Sequence, residues 1–170
     1  MDVFEAIKNR CSVRSYKNKE IEEEKLNKIL EAGRLAPSAK NKQNWKFIIV
    51  KNQKIKDKLT KASSDQKFIS EAPVIIVACG TNTDYTMACG QKSYNIDVSI
   101  AVSFMMLECF EQGLGSCWLG RFNEKEYHDI LNIPEEACVV ATLVVGYGKE
   151  NPNKTSRKSI EEIISYDKYQ

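Results

Sequence analysis

The stretch Ala72-Pro73-Val74-Ile75-Ile76-Val77-Ala78-Cys79-Gly80 is a continuous apolar run with a breaker near each end. A run of this length, rich in β-branched residues and without alternation, reads as a strand covered on both faces. Working outward, Ala137 to Val145 is a second such run, closed by Gly146-Tyr147-Gly148, and Lys46 to Lys51 is a third strand. Between them lie segments of helical period. Val3, Phe4 and Ile7 mark a short helix that ends near Arg10, with Asp2 and Glu5 in a capping-box-like relation. Glu20 to Leu35 carries Leu26, Ile29 and Leu30 on one stripe and stops at Pro37. Gln53 to Ala62 is a lysine-rich exposed helix. Tyr94 to Gln112 is apolar nearly all round, as a buried or interface helix is, and Asp97 is its odd member, placed near the helix start where a carboxylate favours the dipole. Glu124 to Leu131 is a short helix whose His128 reads as a surface residue. Helices and strands alternate without a βαβ cadence, so the class is α+β and residues 1–170 read as a single domain.

Composition excludes several functions. The chain has 170 residues and a formal net charge of +2, too small to indicate nucleic acid or an acidic membrane as partner. No apolar run approaches the ~20 residues that span a bilayer, and the N-terminus has no secretory pattern. The six cysteines form no Cys-x-x-Cys pair, and the single histidine stands apart from them, so no metal site is expected. A reducing, cytoplasmic setting without disulfides follows.

Three stretches carry candidate chemistry. In Asn9-Arg10-Cys11-Ser12-Val13-Arg14-Ser15-Tyr16, two arginines four apart flank a serine hydroxyl, a donor set suited to phosphate oxygens. Solvated surface charge is the plainer reading of the same residues. In Ala36-Pro37-Ser38-Ala39-Lys40-Asn41-Lys42-Gln43-Asn44-Trp45, the amides of Asn41 and Gln43 suit the edge of a planar heterocycle, or simply cap backbone ends. Gly113-Leu114-Gly115 ends the apolar helix, and Ser116 to Arg121 follows as a short strand or turn, with Gly120 permitting close approach of something planar. Gly80 to Gly90 is an irregular polar stretch, long enough to wall a site. The tail from Lys149 has no core of its own, a hint that it packs on another body.

Taken in register, Arg10-x-Ser12-Val13-Arg14, then Leu35-Ala36-Pro37-Ser38-Ala39-x-Asn41-x-Gln43-x-Trp45-x-Phe47, then Gly113 to Gly120, then Gly146-Tyr147-Gly148 and Arg157 resemble the nitroreductase family of FMN-dependent oxidoreductases. The resemblance implies a nitroreductase-like α+β fold: a central mixed sheet flanked by helices, with the C-terminal segment extended onto the partner subunit of a homodimer. It implies tightly bound FMN at the dimer interface. Arg10, Cys11 (through its backbone), Ser12 and Arg14 would hold the phosphate and pyrimidine side, and Arg157 the phosphate. Pro37, Ser38, Ala39 and Asn41 would reach the flavin from the other subunit, with Gln43 and Trp45 supporting that loop. Leu119 and Gly120 would lie beside the redox edge. The implied activity is ping-pong hydride transfer from a transient NAD(P)H, through flavin N5, to a small-molecule acceptor such as a nitroaromatic or quinone, with no catalytic side chain, metal, nucleic acid or membrane involved. A non-catalytic FMN sensor or store, and a specialised reductive dehalogenase or ring dehydrogenase, are the alternatives. The chain departs from the family pattern at Asn44, at Arg121, and at Thr155, where the expected basic residue is displaced to Lys154.

Overall fold

A computed structural model describes residues 2–150, 152 and 155–169. Its centre is a four-stranded sheet in the order β1-β2-β4-β3, made of β1 (Trp45–Val50), β2 (Val74–Gly80), β3 (Gly115–Leu119) and β4 (Cys138–Gly146). All three strand pairings are antiparallel. The expected mixed character survives only as one isolated parallel bridge, Ser12 to Ser116, at the β3 edge. Every residue of β2 is buried. Its side chains alternate between two cores, which explains why its sequence shows no polar face.

Ile75 and Val77 meet Leu59, Ile69 and Tyr127 on one face. These come from α3 (Gln53–Ala62), α4 (Phe68–Glu71) and α6 (Glu124–Leu131). Ile76 and Ala78 point the other way, into Leu26, Ile29, Val98, Val102 and Met105, which belong to α2 (Glu23–Arg34) and α5 (Ser93–Glu111). Helices α2 and α5 pack with Met105 lying against Gly33, where a Cβ would displace the end of the Met105 side chain.

The helix starts follow their caps. Asp2 accepts from the Phe4 N–H before α1 (Val3–Asn9), and Asn52 and Asn123 accept from the N–H of Ile55 and Glu126 before α3 and α6. Asn132 closes α6 in the left-handed conformation. His128 is not a plain surface residue: it is half-buried and its Nδ1 lies 3.1 Å from the Ile133 carbonyl, at this helix end. Among the described residues no helix is long and apolar enough to cross a membrane.

Candidate functional site

The segment after α1 is laid along the β3 edge. The Val13 N–H donates to the Ser116 carbonyl at 3.0 Å, and the Lys17 N–H to the Tyr147 carbonyl at 2.8 Å. Tyr16 is buried, and its hydroxyl donates to the carbonyls of Val13 (2.7 Å) and Val144 (3.2 Å). Burial pushes that phenol far above its ordinary range, so it stays neutral. Gly115 makes the docking possible: a Cβ there would stand 2.6 Å from Val13 Cγ2. With Val13 and Tyr16 locked inward, Arg14 between them is exposed.

Arg14 and the residues just before Val13 line a cleft of about 630 Å³, whose walls are Lys8, Arg10, Cys11, Ser12, Arg14 and Arg157, together with Phe4, Ile7, Pro152 and Thr155. Among the described residues, four cations therefore share one cleft and no carboxylate lines it. The Arg10 Nε is sealed from solvent and has no hydrogen-bond partner. Such a donor is costly unless something accepts from it. Arg157 comes from the far end of the chain, and among the described residues it bonds locally, through Nη1 to Thr155 Oγ1 at 2.8 Å and to the Ser156 carbonyl at 3.3 Å. Lys154 lies outside the described residues. Behind the cleft, Cys117 is buried, which pushes its thiol up; Arg14, the Ser12 hydroxyl and Arg10 oppose that shift.

Leu119 and Gly120 lie further along the same edge. Ser116 pairs with Val145 and Leu119 with Thr142, so three residues, about 10 Å at strand rise, separate the Ser12 bridge from Leu119. A Cβ on Gly120 would meet nothing within 4 Å. No neighbour among the described residues requires glycine there, and the backbone is exposed. Arg121 next to it is drawn aside, its Nε donating to Ser64 Oγ at 3.2 Å.

Pro37, Ser38, Ala39 and Asn41 are not brought to this cleft. They precede β1, at the opposite edge of the sheet. Three inter-strand spacings, about 14 Å, lie between β1 and β3. The loop is well formed nonetheless. The Gln43 N–H donates to Ser38 Oγ at 2.9 Å, and Gln43 Nε2 to Asn41 Oδ1 at 3.0 Å, which is the supporting role read for Gln43. Lys42 Nζ stands 4.6 Å from the centre of the Tyr85 ring, tying the loop to the Gly80–Gly90 stretch.

Asp97 is where the sequence reading of α5 falls short. It is the fifth residue of that helix, almost fully buried, and its Oδ1 accepts the Ala39 N–H at 3.0 Å. Its standing as the only acid among residues 93–107 was the available signal.

A sequence model described as the nitroreductase family matches residues 7–68 and 61–147. The chain belongs to the nitroreductase family. A Methanothermobacter thermautotrophicus relative, provisionally named an NADH dehydrogenase/NAD(P)H nitroreductase, is 33% identical over 89% of this chain and 80% of its own length. The crystal structure of a nitroreductase family protein from Clostridium difficile 630 superposes with a TM-score of 0.89 at 31% identity, covering 99% of this chain and 100% of that one. An FMN-dependent nitroreductase from Clostridium difficile R20291 gives 0.85 at 29% identity, covering 98% and 99%. The nitroreductase-like α+β fold read from the motifs is thus the fold observed, and the chain is an NAD(P)H-dependent oxidoreductase by family.

Proposed function

We propose that this nitroreductase-family protein binds FMN between two copies of the chain and reduces small oxidants at the expense of NAD(P)H. The observation that carries the reading is the unpartnered, sealed Arg10 Nε within a cleft where the described residues supply four cations and no acid. It is a donor set in want of a dianion, and a flavin phosphate supplies one. The Clostridium difficile R20291 neighbour named as FMN-dependent supports the same cofactor.

The residues present fit the group. Arg10, Ser12, Arg14 and Arg157 hold its phosphate and pyrimidine side, with Cys11 contributing its backbone. Leu119 and the open backbone at Gly120 take the ring's edge. In a second protomer, Pro37, Ser38, Ala39 and Asn41 complete the enclosure. Bound FMN supplies the hydride-accepting and hydride-donating centre, so the chain needs no nucleophile or metal of its own. What the side chains contribute is position, and positive charge that favours an anionic reduced cofactor. The nucleotide and the acceptor, a nitroaromatic or quinone, use the same opening in turn.

A homodimer is supported by the apolar surface one protomer leaves uncovered. Val3, Phe4 and Ile7 on α1, Phe104 on α5, and Ile160 and Ile163 in the tail are all exposed. Residues 155–169 are exposed throughout, so the tail has no cover on its own protomer.

The test is an anaerobic titration of the purified holoprotein with NADH and NADPH, followed by an acceptor. Bleaching of the visible flavin band by nucleotide, and its return on adding a nitroaromatic or quinone, is the expected result. A colourless protein that refuses added FMN overturns the reading. Bound flavin that neither nucleotide bleaches reassigns the chain as a store or sensor.

A further inference from the structure

The loop from Ser38 to Gln43 runs through an unfavourable course. Lys40, Asn41 and Gln43 all have positive φ, at 55°, 52° and 52°. Side-chain-bearing residues avoid that region, and several in one short loop persist only where the surroundings hold them. Most of the bonds that shape the loop are internal to it: Gln43 N–H to Ser38 Oγ, Asn41 N–H to the Ser38 carbonyl, and Gln43 Nε2 to Asn41. These give the loop its form without fixing it to the protein. Apart from the cations of Lys40 and Lys42 over the Tyr85 ring, which belongs to the irregular Gly80–Gly90 stretch, the tie to a helix is the Ala39 N–H, which donates to Asp97 Oδ1 on α5.

Asp97 is an expensive way to build that helix. It is 3% exposed, and its Oδ2 is buried with no partner. Ser93, one turn earlier on the same face, also buries an unpartnered hydroxyl, and Asn44 at the loop's far end buries an unpartnered Nδ2. An apolar residue would serve the core better, since a buried carboxylate is unfavourable unless it is well bonded. The arrangement is explained if the helix supplies an anchor for the loop.

We infer that Asp97 is a positioning residue that latches the Ser38–Gln43 loop in the course from which it reaches the flavin held mainly by the second protomer. The latch itself is a property of the chain; its consequence for flavin rests on the function proposed above.

Asp97→Ala and Asp97→Asn separate the possibilities. Exposed Lys40 and Lys42 put two trypsin sites inside the loop, and mass spectrometry gives the cleavage rate at each site of the full-length protein, with and without FMN. Asp97→Ala is expected to speed cleavage after Lys40 and Lys42 on the order of tenfold relative to other sites, and to raise the FMN Kd by a similar factor, the scale of one hydrogen bond to a charged group. Asp97→Asn keeps an acceptor for Ala39 and should stay within about threefold of wild type on both measures. If Asp97→Ala does not fold, Asp97→Ser, too short to reach Ala39, carries the same test. Cleavage that rises equally at all sites, or not at all, overturns the latch and leaves Asp97 a core residue. So does an Asp97→Asn protein as labile in the loop as the alanine variant. Should the wild type bind no FMN, the functional reading fails while the cleavage pattern still decides on Asp97.

Discussion

Arg10→Ala separates a ligand-binding arginine from a structural one, because the two roles predict opposite effects on the empty protein. In the ligand-binding role, the side chain waits for an acceptor that the chain does not supply. Its Nε is sealed and unpartnered, and no ion pair to it occurs among the described residues. Leaving such a donor unmatched costs about 1–3 kcal/mol. Against that, a cation just past the last turn of α1 contributes about 0.3–1 kcal/mol through the helix dipole. Truncation should therefore leave the Tm of the FMN-free protein unchanged or slightly raised. With FMN the sign reverses. A hydrogen bond to a charged group contributes about 1.5–3 kcal/mol, so the FMN Kd should rise roughly 10- to 150-fold. The assays are fluorescence titration of FMN into the stripped protein and thermal unfolding with and without FMN. A Kd equal to wild type, or an FMN-free Tm that falls by several degrees, would refute the assignment of Arg10 to the cofactor.

Gly115→Ala should lower Tm and weaken FMN binding together, because the new Cβ meets Val13 Cγ2 at 2.6 Å and Val13 Cβ at 2.8 Å; overpacking of this kind costs about 1–3 kcal/mol, and thermal unfolding with FMN titration checks both. Tyr147→Phe should flatten the acid side of the stability curve. The Tyr147 hydroxyl donates to Glu22 Oε2 at 2.6 Å and, with Lys19 and Lys25 nearby, holds that carboxyl down at about 2. A folded pKa below the unfolded one gives stability that is present above the ordinary carboxylate value and lost as pH falls toward 2, so Tm measured from pH 5 downward should decline less in the variant than in wild type. Iodoacetamide should modify exposed Cys89 first and reach Cys79, Cys109 and Cys117 only on unfolding, since all three are buried and burial pushes the Cys79 thiol up to about 11; peptide mapping against time reads the order, and early labelling of Cys79 would contradict the packing.

The strands and long helices were legible because each has a pattern that only one environment explains. The unbroken apolar run of β2 required cover on both faces, and the stripe of α2 required one. Helix α4 left no such trace: four residues complete barely one turn, too few for a period to show. The antiparallel order of the sheet was also hidden, since apolar runs state that a strand is buried and not which way its neighbour runs. In the site, Arg10, Ser12 and Arg14 could be singled out by donor chemistry, and Arg157 only by resemblance; that they share one cleft is tertiary information, since Arg157 is more than 140 positions away. Asp97 was visible as an anomaly and given a local explanation, the helix dipole. Its actual partner, Ala39, lies 58 residues away, where local reasoning has no access.

The strand order bears on why the chain should act as a pair. The arginine segment is fastened to the β3 edge through the Ser12–Ser116 bridge, and the Pro37–Asn41 loop feeds β1 at the other edge. No rotation of a side chain closes a gap of about 14 Å across two intervening strands that are fully hydrogen-bonded. If both stretches contact one planar ligand, they must come mainly from different copies, each sheet offering its β3 edge to the loop beside the other's β1. Such a site exists only in the assembled state. Cofactor uptake and subunit association are then linked by mass action, each strengthening the other. The same arrangement accounts for the apolar α1 face, which borders the cation cleft through Phe4 and Ile7. Covering that face with a second copy would dry the surroundings of Arg10 and strengthen its hold on a phosphate, so on the proposed function the surface that one protomer leaves bare would be the one that makes the anion site effective.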